Sequence, residues 1–289
     1  MTNLAVLFLL CIILTTHAAE FNKSCPTLSI THKKFKEEEI LDVYQYGQNI
    51  YIENCSGVVH EETFLDIPRI LRFMMYNSRF TSFDWTSLFR MSYLESIDIL
   101  DVRGLPVLTN NIMLGFKSLK SFSIYDTDVT FQHDAFQRMK QLEYLSISKV
   151  DVTILGNGVF NGSRLKELYW TDSGIIKIDK NCFTPLKNIQ IINLSGNKIE
   201  YLEPETFSGL KNLERLYLNR NNLATIQFRH FATLHSLTYL DVSKNKIPIV
   251  DVEEVWRNIP SLRKIILDRR SLPEGSRKNS LDRLDIMLV

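Results

Sequence analysis

A pattern of mostly apolar residues repeats along the chain about every 24 residues. Within each copy, these residues lie at positions 1, 4, 6, 9, 11 and 14, and near position 19. Positions 4 and 6 are two residues apart, so in a strand both side chains point to the same side. The pattern therefore predicts one short strand in each copy, with positions 4 and 6 buried and positions 3, 5 and 7 facing outward. The copies lie 23 to 25 residues apart and begin at Ile70, Leu94, Leu119, Leu142, Leu165, Ile189, Leu213, Leu237 and Leu262.

These copies are too small to fold one by one. No single copy can bury its own apolar side, whereas stacked neighbours share one continuous core. We therefore predict a single array over residues 70–268. The large residue near position 19 is Phe in five consecutive copies, which favours an apolar spine stacked along the array: Phe136, Phe160, Phe183, Phe207 and Phe231.

The copies that begin at Ile189, Leu213 and Leu237 have Asn at position 9. They follow L-x-x-L-x-L-x-x-N-x-L, with Ile or Val in place of some Leu, at a period of 24 residues. In this pattern the chain resembles the extracellular leucine-rich repeat family. It is similar to Toll-like receptor ectodomains and to short secreted insect leucine-rich immune proteins. The resemblance implies an α/β solenoid, a curved horseshoe with a concave parallel β-sheet and irregular or 3₁₀ segments on the convex side.

Position 9 departs from the family pattern in the N-terminal half. In the family, the Asn side chain satisfies backbone groups of adjacent coils, because buried amides need hydrogen-bond partners. Ser and Thr can do this only in part, and Val cannot do it at all. We therefore predict looser or more irregular turns where position 9 is Ser78, Val102, Thr127, Val150 or Ser173.

The N-terminal segment 20–69 resembles the cysteine-bearing cap of the family together with a first strand. Ile50, Ile52 and Cys55 occupy positions 4, 6 and 9 of that strand. Because Cys25 and Cys55 flank this end of the array, we predict that they form a disulfide in an oxidising compartment. Cys182 directly precedes a Phe of the spine, where a small buried side chain is expected.

The C-terminal segment 269–289 is predicted to be a cap or a terminal strand. Leu281, Leu284, Ile286 and Val289 match positions 1, 4, 6 and 9. A terminal strand has unpaired amides, which favour edge-to-edge pairing with another chain. One interpretation is therefore a dimer through residues 281–289, and the other is a short strand or helix folded over the last coil.

The first 19 residues have the features of a secretory signal peptide. Residues 4–14 read LAVLFLLCIIL. This run is shorter than the roughly 20 residues that a membrane-spanning helix needs, and small residues follow it, with cleavage expected after Ala18 or Ala19. We expect a secreted, extracellular protein with no membrane span. Its N-glycosylation sequons are at Asn22, Asn54, Asn161 and Asn193.

Tyrosine is concentrated at the outward positions, which hold seven of the 11 tyrosines. Tyr is common at protein-binding surfaces because it combines a large rigid ring with a polar tip. The alternative is that Tyr simply has a high strand propensity. A glycan on Asn193 would occlude the middle of this surface. The candidate ligand-binding residues on the predicted concave face are Tyr76, Tyr125, Tyr144, Tyr169, Arg215, Tyr217, Tyr239 and Asp241.

The near-zero net charge and the lack of catalytic motifs exclude several classes of function. The chain has 34 Lys+Arg against 33 Asp+Glu, which argues against nucleic-acid binding through bulk charge. It contains no catalytic, metal-ligand or nucleotide-binding motif, so we expect no enzyme activity and no cofactor or metal. The sequence predicts a non-catalytic scaffold that binds an extracellular protein or glycan, in innate immunity or cell adhesion. The alternative is an accessory subunit that assembles through its C-terminal strand.

Overall fold

The computed structural model describes residues 27–30, 48–61, 63, 64, 70–272 and 284–289. The chain divides into two compact units, residues 1–129 and residues 130–289. Within the described ranges, no helix has the length and apolar composition needed to cross a membrane. The proposed signal peptide, Cys25 and Asn22 lie outside those ranges.

The first unit contains a largely parallel sheet in the order β1-β2-β4-β5-β6, in which β1 is antiparallel to β2 and β3 pairs with the later part of β4. Position 4 of successive copies is in register, so the buried side chains of Ile50, Phe73, Ile97 and Phe122 form one column. The elements are β1 (Thr27–Ile30), β2 (Gln48–Glu53), β3 (Ser56–Val59), β4 (Ile70–Phe83), a 3₁₀ turn (Trp85–Leu88), β5 (Ser96–Arg103), helix α1 (Asn110–Gly115) and β6 (Ser121–Tyr125).

The second unit contains a parallel sheet in the order β7-β9-β11-β12-β13-β14-β15, with β8 and β10 forming a separate parallel pair. Helix α2 is capped at its N-terminus by Asp251, whose carboxylate accepts a hydrogen bond from the Glu253 amide. The elements are β7 (Tyr144–Ser148), β8 (Ile154–Leu155), β9 (Glu167–Thr171), β10 (Lys177–Ile178), β11 (Ile191–Asn193), β12 (Arg215–Tyr217), a 3₁₀ turn (Phe228–Phe231), β13 (Tyr239–Asp241), α2 (Val252–Asn258), β14 (Lys264–Leu267), a 3₁₀ turn (Arg269–Ser271) and β15 (Asp285–Leu288).

Apolar side chains fill the second unit as the template predicts. Position 4 again forms a buried column, and Cys182 is buried just before the Phe spine. The ring centroids of Phe160 and Phe183 are 6.0 Å apart, those of Phe183 and Phe207 5.6 Å, and those of Phe207 and Phe231 6.0 Å. This stacking confirms the predicted spine from Phe160 to Phe231, whereas the ring of Phe136 packs against that of Trp170 at a centroid distance of 6.0 Å.

The Asn residues at position 9 form a ladder of buried hydrogen bonds. Asn221 Oδ1 accepts from the Ile199 amide at 3.0 Å, and its Nδ2 donates to the Leu194 and Leu218 carbonyls at 2.9 and 3.0 Å. Asn197 and Asn245 repeat these contacts one coil to either side. Each Asn side chain thus links the backbones of adjacent coils through hydrogen bonds, as the family resemblance implies.

The prediction of looser turns where this Asn is missing is wrong for the first two copies. There the strands are longer: β4 has 14 residues and β5 has 8, whereas β11, β12 and β13 have 3 each. Ser78 and Val102, both at position 9, are paired residues of β4 and β5. Continued strand pairing satisfies the backbone groups that Asn would otherwise bind. In addition, Ser78 Oγ accepts from the Cys55 amide at 3.1 Å.

Position 8 adopts a left-handed backbone conformation in every copy from β2 to β13. Its φ lies between 47° and 57° at eight non-glycine residues, and Gly196 supplies the ninth position with a φ of 72°. Asn and Asp tolerate this region better than other side chains, but Arg and Lys also adopt it here. The eight residues are Asn54, Asn77, Asp101, Asp126, Lys149, Asp172, Arg220 and Lys244.

The C-terminal strand is present, but its predicted register is wrong by two residues. We expected Leu284 and Ile286 at positions 4 and 6. Instead Ile286 pairs with Ile265 at position 4, and Leu288 pairs with Leu267 at position 6. A shift of two residues keeps the same side chains on the same face, so the apolar alternation alone could not distinguish the two registers.

Candidate functional site

The outward positions of β7, β9, β12 and β13 carry four tyrosines, which we call the tyrosine face: Tyr144, Tyr169, Tyr217 and Tyr239. Each side chain is half-buried, and each lies on a strand whose alternate residues are in the core. The pleat of the sheet therefore fixes the direction in which all four rings point.

The four rings form two pairs. The centroids of Tyr144 and Tyr169, on neighbouring strands β7 and β9, are 5.4 Å apart with an interplanar angle of 39°. Those of Tyr217 and Tyr239, on β12 and β13, are 4.9 Å apart at 41°. Because each ring packs against another, little side-chain freedom is left to lose when a ligand binds.

Strand β11 separates the two pairs and contributes no aromatic residue. Asn193 is in register with Tyr169 on one side and with Tyr217 on the other. Its Oδ1 accepts a hydrogen bond from the Ser195 amide at 3.0 Å. We call the space above this short side chain the Asn193 gap. The structure thus brings together the two aromatic patches and the intervening Asn that the sequence predicts.

The hydroxyls of Tyr169 and Tyr239 are held in the protonated state. Tyr169 Oη donates to Glu167 Oε2 at 3.0 Å. Burial, followed by this hydrogen bond, raises the pKa of Tyr169 above its usual range. Burial, followed by the charge of Asp241, raises the pKa of Tyr239. At neutral pH Tyr169 and Tyr239 therefore carry no negative charge, and the proton of the Tyr169 hydroxyl is already donated to Glu167.

The two charged candidates differ in accessibility. Arg215 is exposed and in register with Tyr239. Asp241 is only 8% exposed, and its Oδ1 accepts from the Ser243 amide at 3.0 Å and from Ser243 Oγ at 2.7 Å. Burial raises the pKa of this carboxyl. Asp241 is therefore engaged with its own strand end, a role that the alternating sequence pattern does not reveal.

Sequence profiles of two families match the chain. The profile described as "BspA type Leucine rich repeat region (6 copies)" matches residues 44–166, and that described as "Leucine rich repeat" matches residues 163–223 and 211–272. This chain belongs to the leucine-rich repeat family. A search of curated protein sequences finds no match to this leucine-rich repeat protein.

Solved structures share the fold of this leucine-rich repeat protein. A chain of the TLR13–ssRNA13 complex matches it with a TM-score of 0.62 and 18% identity, over 83% of this chain and 43% of that one. A chain of the Drosophila Toll–Spatzle complex matches with a TM-score of 0.62 and 16% identity, over 78% and 33%. A chain of the octameric complex of Latrophilin 3, Unc5D and FLRT2 matches with a TM-score of 0.55 and 18% identity, over 72% of this chain and 78% of that one. The present chain thus spans less than half of the first two.

The first unit of this leucine-rich repeat protein has tyrosines of its own on the outward positions. Tyr76 pairs with Tyr51, which is not among the predicted ligand-binding residues, at a centroid distance of 5.2 Å. Burial raises the pKa of Tyr76. Tyr125, on β6, is exposed. The part of the chain that the structure describes holds no cluster of side chains suited to a metal ion.

Proposed function

We propose that this leucine-rich repeat protein is a secreted, non-catalytic scaffold that binds an extracellular protein through the tyrosine face. The observation that carries the proposal is the pairing of four tyrosines in two prepacked patches, at 5.4 and 4.9 Å, on one side of a parallel sheet. Rigid aromatic residues are typical anchors of protein interfaces because they bury a large area at a small entropic cost. The fold and the family support a binding role, since the three solved structures compared above come from complexes.

The proposal includes the cellular setting. Residues 1–19 would be removed as a signal peptide, Cys25 and Cys55 would form a disulfide in the oxidising compartment, and the mature protein would act in innate immunity or cell adhesion. A protein ligand is favoured over a nucleic acid because the formal net charge is only +1, which offers little attraction to a phosphate backbone.

A comparison of two variants tests the proposal. Tyr169→Ala combined with Tyr217→Ala removes one ring from each pair, and Tyr201→Ala removes a ring that is 47% exposed at another position of the same unit. We expect the double variant to lose at least about 2 kcal/mol of binding free energy, the loss typical of interface anchors, or about 30-fold in affinity.

The measurement is capture of binding proteins from the source extracellular fluid with each immobilised variant. The proteins retained by the wild type and lost from the double variant are then purified, and their dissociation constants are determined. Tyr201→Ala should retain them, and all variants should give the same circular dichroism spectrum. Equal retention by the double variant and the wild type would reject the tyrosine face.

A second candidate function is that of a subunit that assembles through residues 281–289. Among the described strands β15 pairs only with β14, and Met287 and Val289 are 42% and 51% exposed. Light scattering at micromolar concentration tests this proposal. A dimer that dissociates when residues 281–289 are deleted supports it, and a monomeric wild type rejects it.

A further inference from the structure

The Asn193 gap has aromatic walls on two sides. Strand β11 lies between β9 and β12, so the backbones that carry Tyr169 and Tyr217 are two strand spacings, about 10 Å, apart. Each of these rings packs against a partner on the strand farther from β11, namely Tyr144 or Tyr239. The short Asn193 side chain therefore forms the floor of a slot between two rings.

A separation of about 10 Å between the two backbones leaves room for one flat, largely apolar-faced ring above Asn193. Carbon atoms in contact are about 4 Å apart, so a ring held between two others requires about 8 Å between them. A pyranose sugar presents C–H groups on its faces and can pack in this way. A group attached to Asn193 would lie beside both Tyr169 and Tyr217, which are in register with Asn193 on the two neighbouring strands.

The residue at the floor of the slot, Asn193, can accept an N-linked glycan. Asn193-Leu194-Ser195 is an N-glycosylation sequon, and Leu194 is buried while Asn193 and Ser195 lie on the opposite, outward side of the backbone. The carbonyl oxygen of the Asn193 side chain is engaged by the Ser195 amide. The Nδ2 of Asn193 makes no hydrogen bond within the described residues and is not a buried unsatisfied atom, so it is accessible to solvent.

The other described sequons lack such a setting. Asn161 is exposed, but the hydroxyl of Ser163 in its sequon is buried without a hydrogen-bond partner in the described structure. Asn54 lies in a left-handed turn with a φ of 55°. Neither residue is a strand position flanked in register by two aromatic residues. Asn193 is therefore the described sequon whose occupancy would change the tyrosine face.

We propose that Asn193 carries an N-linked glycan whose first sugar lies between Tyr169 and Tyr217, so that glycosylation controls access to the tyrosine face. The transfer forms a bond between C1 of the sugar and Nδ2 of Asn193, and it breaks the bond between C1 and the diphosphate of a lipid-linked oligosaccharide donor. Nδ2 loses one proton, and the lipid diphosphate leaves. The regulatory part of this inference rests on the proposed function, because it supposes that a partner uses the same rings.

The first experiment measures occupancy and ring protection on the full chain secreted from eukaryotic cells. Ser195→Ala removes the sequon but keeps the Asn193 side chain and its bond to the residue 195 amide, and Asn193→Gln is the second variant. Glycopeptide mass spectrometry should show a glycan on Asn193 of the wild type. Nitration by tetranitromethane should be about two- to tenfold slower at Tyr169 and Tyr217 than in either variant, as expected for one ring contact. Tyr201 is the internal control and should react equally in all three proteins.

Trimming the glycan to its first sugar identifies what protects the rings. Protection that survives trimming supports a sugar in the slot. An unoccupied Asn193, equal nitration of glycosylated and unglycosylated chains, or protection lost on trimming would overturn the inference.

The second experiment separates this inference from the proposed function. A partner obtained by the capture described above should bind Ser195→Ala more tightly than the glycosylated wild type. If Tyr169→Ala with Tyr217→Ala retains that partner, the proposed function fails, whatever the state of Asn193. If the double variant loses the partner but Ser195→Ala binds it with the affinity of the glycosylated wild type, the proposed function holds and the control by glycosylation is rejected.

Discussion

At the scale of single residues, position 9 shows how one side chain can stabilise two coils. Asn221 satisfies the Ile199 amide and the carbonyls of Leu194 and Leu218, all in the buried interior. No apolar residue of similar size could do so, because it has neither a donor nor an acceptor. The sequence predicts this role, since Asn recurs at a position that the rest of the template assigns to the core.

Asn221→Ala should therefore destabilise the protein strongly. It leaves the buried Ile199 amide without a partner and removes one of the two Asn donors from each of the Leu194 and Leu218 carbonyls, so we expect a loss of about 1–3 kcal/mol in the free energy of unfolding. Urea denaturation followed by circular dichroism measures it. Asn212→Ala is the matched control, because the exposed Asn212 donates a single hydrogen bond to the Lys187 carbonyl. A loss at Asn221 no larger than at Asn212 would contradict the role of the ladder.

Gly104 is required by a close backbone approach as well as by its φ of 82°. A Cβ there would lie 1.8 Å from the Phe80 carbonyl oxygen, whereas Gly174, with a φ of 78°, has no neighbouring atom within 4 Å. Gly174→Ala should cost about 1–2 kcal/mol for backbone strain alone, and Gly104→Ala clearly more. Thermal unfolding of the two variants makes the comparison. Equal losses would show that the contact with Phe80 is relieved at little cost.

Asp241→Asn should raise the melting temperature at pH 7. Burial raises the pKa of Asp241 in the folded protein, so unfolding is accompanied by proton release and the charged form favours the unfolded chain. The destabilisation is present above the folded-state pKa and disappears as the pH falls below the unfolded value of about 4. The amide oxygen of Asn can still accept from Ser243. A difference in melting temperature between variant and wild type that does not shrink on acidification would contradict this account.

At the scale of elements, the repeat position alone does not determine the length of a strand. The template predicts the buried columns correctly, because positions 4 and 6 must share a face in any register of a pleated strand. It does not predict that β4 extends over 14 residues, with Ser78 still paired to Val102 at position 9, where the short strands β11, β12 and β13 are followed by Asn. The sequence also does not predict the left-handed backbone at position 8, because Lys149, Arg220 and Lys244 have no strong preference for that conformation.

Phe207→Ala tests the spine as a connected element. The side chain is almost fully buried between Phe183 and Phe231, so truncation should cost about 3–5 kcal/mol. Because repeats depend on their neighbours, hydrogen exchange should accelerate in β11 and β12 before the rest of the unit. Tyr201→Ala, which removes an exposed ring, is the control and should leave exchange unchanged. Loss of protection confined to the substituted loop would contradict a shared spine.

At the scale of the whole molecule, the sequence reveals the family and the enrichment of outward tyrosines but not how those rings are arranged. Tyr144 packs on Tyr169 and Tyr217 on Tyr239, although the two rings of each pair are 25 and 22 residues apart in sequence. This packing depends on the register of the strands, which only the folded sheet sets. The burial of Asp241 likewise depends on the packing of the folded strands and is not visible in the sequence pattern. The period predicts which strands are neighbours, and their packing determines which outward side chains stay accessible.

Site-specific photocrosslinking shows whether a partner contacts the tyrosine face. A photoreactive phenylalanine analogue is placed in turn at positions 169, 217 and 201, and each protein is irradiated in the source extracellular fluid. If the tyrosine face binds the partner, positions 169 and 217 should give the same covalent adduct and position 201 none. Adducts formed only at position 201, or at all three positions equally, would contradict it.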